Sequence, residues 1–204
     1  MVLTVTPNPA IDKTVEAPGF AVGSHVRARM RSLVPAGKGI NVARGIHALG
    51  GRATACAPIG RSELAMYEDV LDSDGVPHRL VPVDGTTRTN TTILDPEKHT
   101  TTHLREEGFH LSEDERDRLR DTILTALTRL ADPHNPPWAA FCGSLPPGLS
   151  PSAFTSMLRA VRDAGASVVV DTSGNALREA IESGAVDVVK PNLHELEQCL
   201  DREV

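Results

Sequence analysis

Ala36-Gly37-Lys38-Gly39-Ile40-Asn41-Val42-Ala43 places two glycines and a lysine at the mouth of a helix that runs to Gly50-Gly51. Glycines in that position let backbone N–H groups approach an anion, and the helix dipole adds favourable potential. Lys38 supplies a point charge for a phosphate or a hydroxyl-bearing ligand. The pattern is not a Walker A loop, because Gly39 follows the lysine where Ser or Thr is needed, and no G-x-G-x-x-G dinucleotide fingerprint occurs. A glycine turn that serves only helix entry has the same local signature. Four apolar runs also end in polar or glycine-rich turns: LTVT in Pro7-Asn8-Pro9-Ala10-Ile11-Asp12, AAFC in Gly143-Ser144-Leu145-Pro146, VVV in Asp171-Thr172-Ser173, and VDVV in Lys190-Pro191-Asn192. Any one of these suits a plain turn. All four on one rim favour a ligand site, since open parallel sheets bind ligands at the carboxyl ends of their strands.

The elements that must carry these turns alternate. Ala139 to Cys142 reads as a buried strand, and Ser150-Pro151 caps a helix using Phe154, Leu158 and Val161. Ser167 to Val170 is the next strand, ending at Asp171. A helix through Leu177 and Ile181 leads to a strand from Val186 to Val189, and a last helix begins near His194. Upstream, Ser112 and Glu115 form a capping box ahead of Leu119, Ile123, Leu127 and Leu130. Such units need right-handed crossovers and predict an α/β fold, a doubly wound, mostly parallel sheet. Two stretches break the rhythm: His25 to Leu33, with alternating Val26, Arg27, Ala28, Arg29, Met30 and Arg31, and residues 78–104, with three short β-like runs and a turn at Asp95-Pro96-Glu97-Lys98. Rich in Thr, Val and Arg, they predict a small sheet inserted into the α/β domain, polar on one side. The last helix, HELEQCLDREV, stops without a cap, a further strand or a polar tail, so the C-terminal part of the fold is expected to be missing.

At 204 residues the chain is long enough to bury a core without staples. The net charge of −6 disfavours nucleic acid and acidic membranes as partners, so an anionic substrate must meet a local cluster of Lys and Arg. No apolar run nears the ~20 residues of a membrane span, and the N-terminus does not read as a secretory signal. Three scattered cysteines suggest no disulfide framework, which fits a reduced, cytoplasmic setting. The eight histidines lack metal-ligand spacing.

The segments TPNPAID (6–12), AGKGINVAR (36–44), RTN (88–90), CGSLPPG (142–148), DTSG (171–174) and KPNLHEL (190–196) together resemble the N-terminal portion of a ribokinase-like sugar kinase of the PfkB family, in its hexose-phosphate branch. They follow the family order and cover essentially the whole chain. The resemblance implies a ribokinase-like fold in which the small inserted β-sheet is a lid, with lid segments at about 13–34 and 78–105, and transfer of the ATP γ-phosphoryl, with Mg²⁺, to the C6 hydroxyl of fructose 1-phosphate. Tagatose 6-phosphate and fructose 6-phosphate are the alternative acceptors in that branch. It implies that Asp12 binds sugar hydroxyls, that Gly37, Lys38 and Asn41 hold the sugar and its phosphate, and that Arg88 and Asn90 reach that phosphate from the lid. Ser144 would line the sugar site. Lys190 and Asn192 would face the nucleotide phosphates, and Glu195, in an N-x-x-E motif, would help hold Mg²⁺ through water. An ordinary first-turn glutamate beside a helix dipole is the plain reading of Glu195. Arg27, Arg29 and Arg31 fit a solvated strand face.

Ala36-Gly37 stands where many relatives have a double glycine, which favours the fructose 1-phosphate branch. The family's Gly-Ala-Gly-Asp turn, with its general base and anion hole, does not occur in the sequence, so the expected catalytic Asp lies beyond Val204. The 204 residues alone are then expected to be inactive. The rival from another class is a non-catalytic sugar-phosphate-binding module. Pairing of lid sheets in a homodimer is a further implication of the resemblance.

Overall fold

The computed structural model describes residues 1–132 and 134–202. Leu3, Thr4 and Val5 are fully buried, so β1 (Val2–Val5) needs cover on both faces and takes the interior of a six-stranded sheet. The other strands of that sheet are β4 (Ala53–Gly60), β5 (His78–Val83), β8 (Trp138–Cys142), β9 (Ser167–Asp171) and the two-residue β10 (Val188–Val189). Their order is β10-β9-β8-β1-β4-β5, with every pairing parallel. Helices α1 (Lys38–Ala48) and α2 (Leu64–Ser73) cover one face, through Ile40, Ala43, Tyr67 and Leu71. Helices α3 (Glu113–Leu130), α4 (Pro151–Asp163) and α5 (Gly174–Glu182) cover the other, through residues such as Leu119, Ile123, Phe154, Leu158 and Leu177. The doubly wound α/β layering expected from the alternating pattern is therefore present.

A second, four-stranded sheet carries β2 (Ala10–Glu16), β3 (Arg29–Ala36), β6 (Arg88–Asp95) and β7 (Thr100–Arg105) in the order β3-β2-β6-β7. It is mixed: β2 runs parallel to β6, and the other two pairs are antiparallel. Its boundaries differ from the predicted lid segments in two places. The run from His78 to Val83 belongs to the main sheet, because Val81 and Val83 bury against one core while Leu80 packs on the other, as a strand covered on both faces must. The lid also begins earlier, at Ala10, inside the stretch read as a turn. Of the alternating arginine stretch, only the part from Arg29 on is strand, and there Arg31 pairs with the half-buried Glu16 of β2.

At the far end, Ile181 is 43% exposed rather than core, and the strand expected from Val186 shortens to Val188–Val189. The last helix is α6 (Leu193–Leu200), ending at Asp201 in the left-handed region; Glu203 and Val204 of the predicted helix lie outside the described residues.

Two buried carboxylates fasten the loops. Glu115, in the capping box of α3, accepts hydrogen bonds from Ser112 N, Ser112 Oγ and, across the β5 end, Asp84 N at 2.9, 2.9 and 2.6 Å. Asp95 accepts from the backbone N–H groups of Gly19, Glu97 and Lys98, tying the loop after β2 to the β6–β7 turn. Burial alone raises both carboxyls, but the N–H donors outweigh it and hold each below the ordinary range. A depressed folded-state value contributes stability above the unfolded pKa of about 4 and loses it as pH falls through the folded value. The thermal midpoint is therefore expected to drop as pH falls below about 4, with a flatter acid limb in Glu115→Gln, measured by calorimetric melts across pH. Parallel acid limbs would count against this role for Glu115.

Candidate functional site: an arginine-lined cleft under the lid

The carboxyl ends of β1, β8 and β9 and the N-terminus of α1 meet the underside of the lid. Between them lies a cavity of about 310 Å³ lined by Asp12, Gly37, Lys38, Asn41, Arg88, Asn90, Ser144 and Glu195 together with Asn8, Arg105, Gly143 and Ser173. Each side chain arrives for a local reason. Gly37 adopts φ 152°, and a Cβ there would sit 2.7 Å from Thr6 Cγ2, so the β3-to-α1 joint needs glycine. Lys38 and Asn41 then leave the first turn of α1. Arg88 and Asn90 open β6, whose parallel register sets Asn90 beside Asp12, and Asn90 Nδ2 donates to Asp12 Oδ1 at 3.1 Å.

Arg88 is tied down before any ligand arrives. Its guanidinium donates to Asn8 O at 3.0 Å and to Pro9 O at 3.3 Å, with Ser144 Oγ at 3.5 Å. Burial lowers its pKa, and the neighbouring Arg105 lowers it further. Two guanidinium groups that disfavour each other on neighbouring lid strands make a site whose charge an anion relieves.

Lys38 Nζ donates to Asp171 Oδ1 at 2.9 Å, and Lys190 Nζ lies 3.6 Å from Asp171 Oδ2. One nearly buried carboxylate at the end of β9 thus holds the lysine of the glycine turn and the lysine that follows β10. Asp171 acts as the strand-end residue that orders this rim. Cys142, at the end of β8, is no nucleophile here: burial, with Asp171 adding to it, pushes its thiol up to about 11.

Lys190 and Asn192 do not line the cavity. Lys190 reaches its edge only through Asp171, and Asn192 is the N-cap of α6, accepting from Glu195 N at 2.8 Å. Glu195 returns the bond through Asn192 N at 2.9 Å, a full capping box, and still faces the cavity. Among the described residues no cluster of three or more His, Cys, Asp or Glu could hold a metal. That donor set fits Mg²⁺ only in the way Mg²⁺ is commonly held, by phosphate oxygens and water with one carboxylate nearby.

Arg105 and Asn8 were not singled out from the sequence. Arg105 ends β7 and reaches the cleft because the β6–β7 register sets it opposite Asn90. Asn8 is 4% exposed and donates from Nδ2 to Glu107 O at 3.0 Å. Its place in the TPNPAID turn was the available signal.

Residues 6–203 match the pfkB family carbohydrate kinase pattern. The chain belongs to the pfkB family of carbohydrate kinases. It is 32% identical over 201 residues to the 1-phosphofructokinase of Rhodobacter capsulatus, covering 98% of this chain and 62% of that protein. It is 30% identical over 203 residues to the ATP-dependent 6-phosphofructokinase isozyme 2 of Escherichia coli, covering 63% of it. The structure of phosphofructokinase-2 from Escherichia coli in complex with fructose-6-phosphate superposes with a TM-score of 0.90 at 31% identity, over 99% of this chain and 64% of that one. The fold is thus ribokinase-like, and this pfkB chain spans less than two thirds of the length of these relatives.

Proposed function

We propose that the cleft binds the sugar phosphate of a hexose-phosphate kinase, with fructose 1-phosphate as the acceptor and ATP with Mg²⁺ as the phosphoryl donor. The observation that carries this reading is one cavity lined by Arg88, Arg105, Asp12 and Asn90 of the lid together with Lys38 of α1, in an otherwise acidic chain. Guanidinium groups grip a phosphate through parallel N–H bonds, and the Asp12–Asn90 pair offers an acceptor and a donor to vicinal hydroxyls. Ser144 and Asn41 complete the polar wall. Asp171 holds Lys38 toward the sugar side and Lys190 toward the nucleotide side, with Asn192 and Glu195 on that second side. When bound, Mg²⁺ supplies charge neutralisation for the transferring phosphoryl group. Catalysis of this transfer rests on positioning and on charge stabilisation, so the base and anion hole of a Gly-Ala-Gly-Asp turn belong to the complete site. A pfkB chain without such a turn is expected to bind the sugar phosphate without turning it over.

Met30, Leu33 and Leu104 are exposed on one face of the lid, and a second lid laid against that face in a homodimer would cover them. The named test is titration calorimetry of the chain with fructose 1-phosphate, tagatose 6-phosphate and fructose 6-phosphate, alongside a coupled ATP assay. Fructose 1-phosphate is expected to bind most tightly, without ADP release. Tighter binding of either 6-phosphate overturns the substrate, and no binding of any of the three overturns the reading.

A further inference from the structure

Tyr67, on α2, is fully buried and lines no part of the cleft, yet its hydroxyl ends on the two strands that carry the lid. It lies 2.7 Å from Ala10 O on β2 and 3.1 Å from Ala36 O on β3. Those residues are register partners where the β2–β3 ladder begins, and both are buried. A phenol has one hydrogen, so the two carbonyls share it in a three-centre bond. The strand roots, one from each side of the ladder, are therefore pinned to a single atom of the main domain. Asp12 stands two residues beyond the first root, and Gly37 and Lys38 follow directly on the second. Arg88 holds the preceding carbonyls, Asn8 O and Pro9 O, from the lid side. Three consecutive carbonyls are thus tied from opposite directions, by a cleft residue and by Tyr67.

We propose that Tyr67 is a positioning residue for the cleft: its hydroxyl sets the separation of the two lid roots and so the distance between Asp12 and Lys38 across the bound ligand. This rests on the sugar-phosphate reading of the cleft. Burial pushes the phenol well above its ordinary range, which favours its neutral, donating form. Its ring belongs to the buried cluster that also holds Ile11, Ile40 and Leu71, so Tyr67→Phe keeps the ring and deletes only the shared hydrogen, leaving two buried carbonyls without it.

The control is Leu127→Ala, on α3 in the other core and 2% exposed, which removes packing without touching Tyr67 or either root. Both variants are titrated with fructose 1-phosphate at a temperature where circular dichroism shows them folded. Tyr67→Phe is expected to bind about 10-fold more weakly than the parent, and Leu127→Ala to bind like the parent. Unchanged affinity in Tyr67→Phe, or an equal loss in Leu127→Ala, overturns the proposal. Amide hydrogen exchange gives a readout that needs no ligand. Tyr67→Phe is expected to speed exchange selectively in Ala10–Glu16 and Arg29–Ala36, whereas loss of protection spread evenly over both sheets overturns it. If the parent binds no sugar phosphate, the functional reading of the cleft fails while exchange still decides whether Tyr67 pins the roots.

Discussion

Arg88→Ala is expected to weaken fructose 1-phosphate binding about 100-fold while leaving the chain folded, because charge-assisted hydrogen bonds contribute about 1.5–3 kcal/mol and a bidentate grip on phosphate makes two of them. The guanidinium is already oriented by Asn8 O and Pro9 O, so little side-chain freedom is lost on binding. Arg105 adds a second effect. In the free protein the two like charges oppose each other, and a phosphate dianion between them removes that opposition. Affinity should accordingly fall as salt rises, and fall less steeply once Arg88 is gone. Arg88→Lys should not restore binding, since an ammonium offers a point charge without the planar fork. Arg105→Ala, at an exposed strand end, should cost nearer 10-fold. Calorimetric titration at low and high salt, with a thermal melt for each variant, reads all of these. An Arg88→Ala protein that binds as tightly as the parent would mean the anion sits elsewhere.

Much of the frame that places Arg88 was readable in the sequence, because it is written in short-range chemistry. Ser112 with Glu115 and Ser150 with Pro151 mark the starts of α3 and α4, and the structure shows both caps made. Strand ends at Cys142 and Asp171 follow from apolar runs meeting polar turns. What escaped depends on partners distant in the chain. Nothing local distinguishes His78–Val83, which joins the main sheet, from Arg88–Asp95, which joins the lid; the difference is which core each strand meets. Arg105 enters the cleft through hairpin register alone, and Asp171 shows its hold on two lysines only when β9, α1 and the end of β10 are brought together. Asn192 and Glu195 show the opposite problem. Their spacing suits both a capping box and an ion-binding motif, and the structure shows the box made while Glu195 keeps its place in the cleft wall.

Gly39→Ala tests the joint on which the cleft depends, and its expected sign runs against helix propensity. Gly37, at the N-cap of α1, has no side chain to cap the helix, so the first-turn N–H of Ile40 is satisfied from another element: Thr6 Oγ1, just past the end of β1, accepts it at 2.9 Å in a buried position. That arrangement needs the helix to lie almost on the strand. A Cβ on Gly39 would fall 2.6 Å from Thr6 Oγ1 and 2.9 Å from Val5 O, and the second of these is backbone in the middle of a buried sheet. Alanine is otherwise the better helix former by about 1 kcal/mol. Here overpacking of about 1–3 kcal/mol, together with loss of the Thr6 bond at about 1 kcal/mol, outweighs it. Because α1 must move off β1 to make room, Lys38 and Asn41 move with it, so ligand affinity should fall together with stability. Gly45→Ala supplies the internal comparison. It lies on the same helix with nothing within 4 Å of its added carbon, so the propensity term stands alone and the variant should be more stable than the parent. Urea denaturation of the two variants should therefore give shifts of opposite sign on one helix. A stabilised Gly39→Ala would show that α1 does not seat on β1 as closely as Thr6 requires.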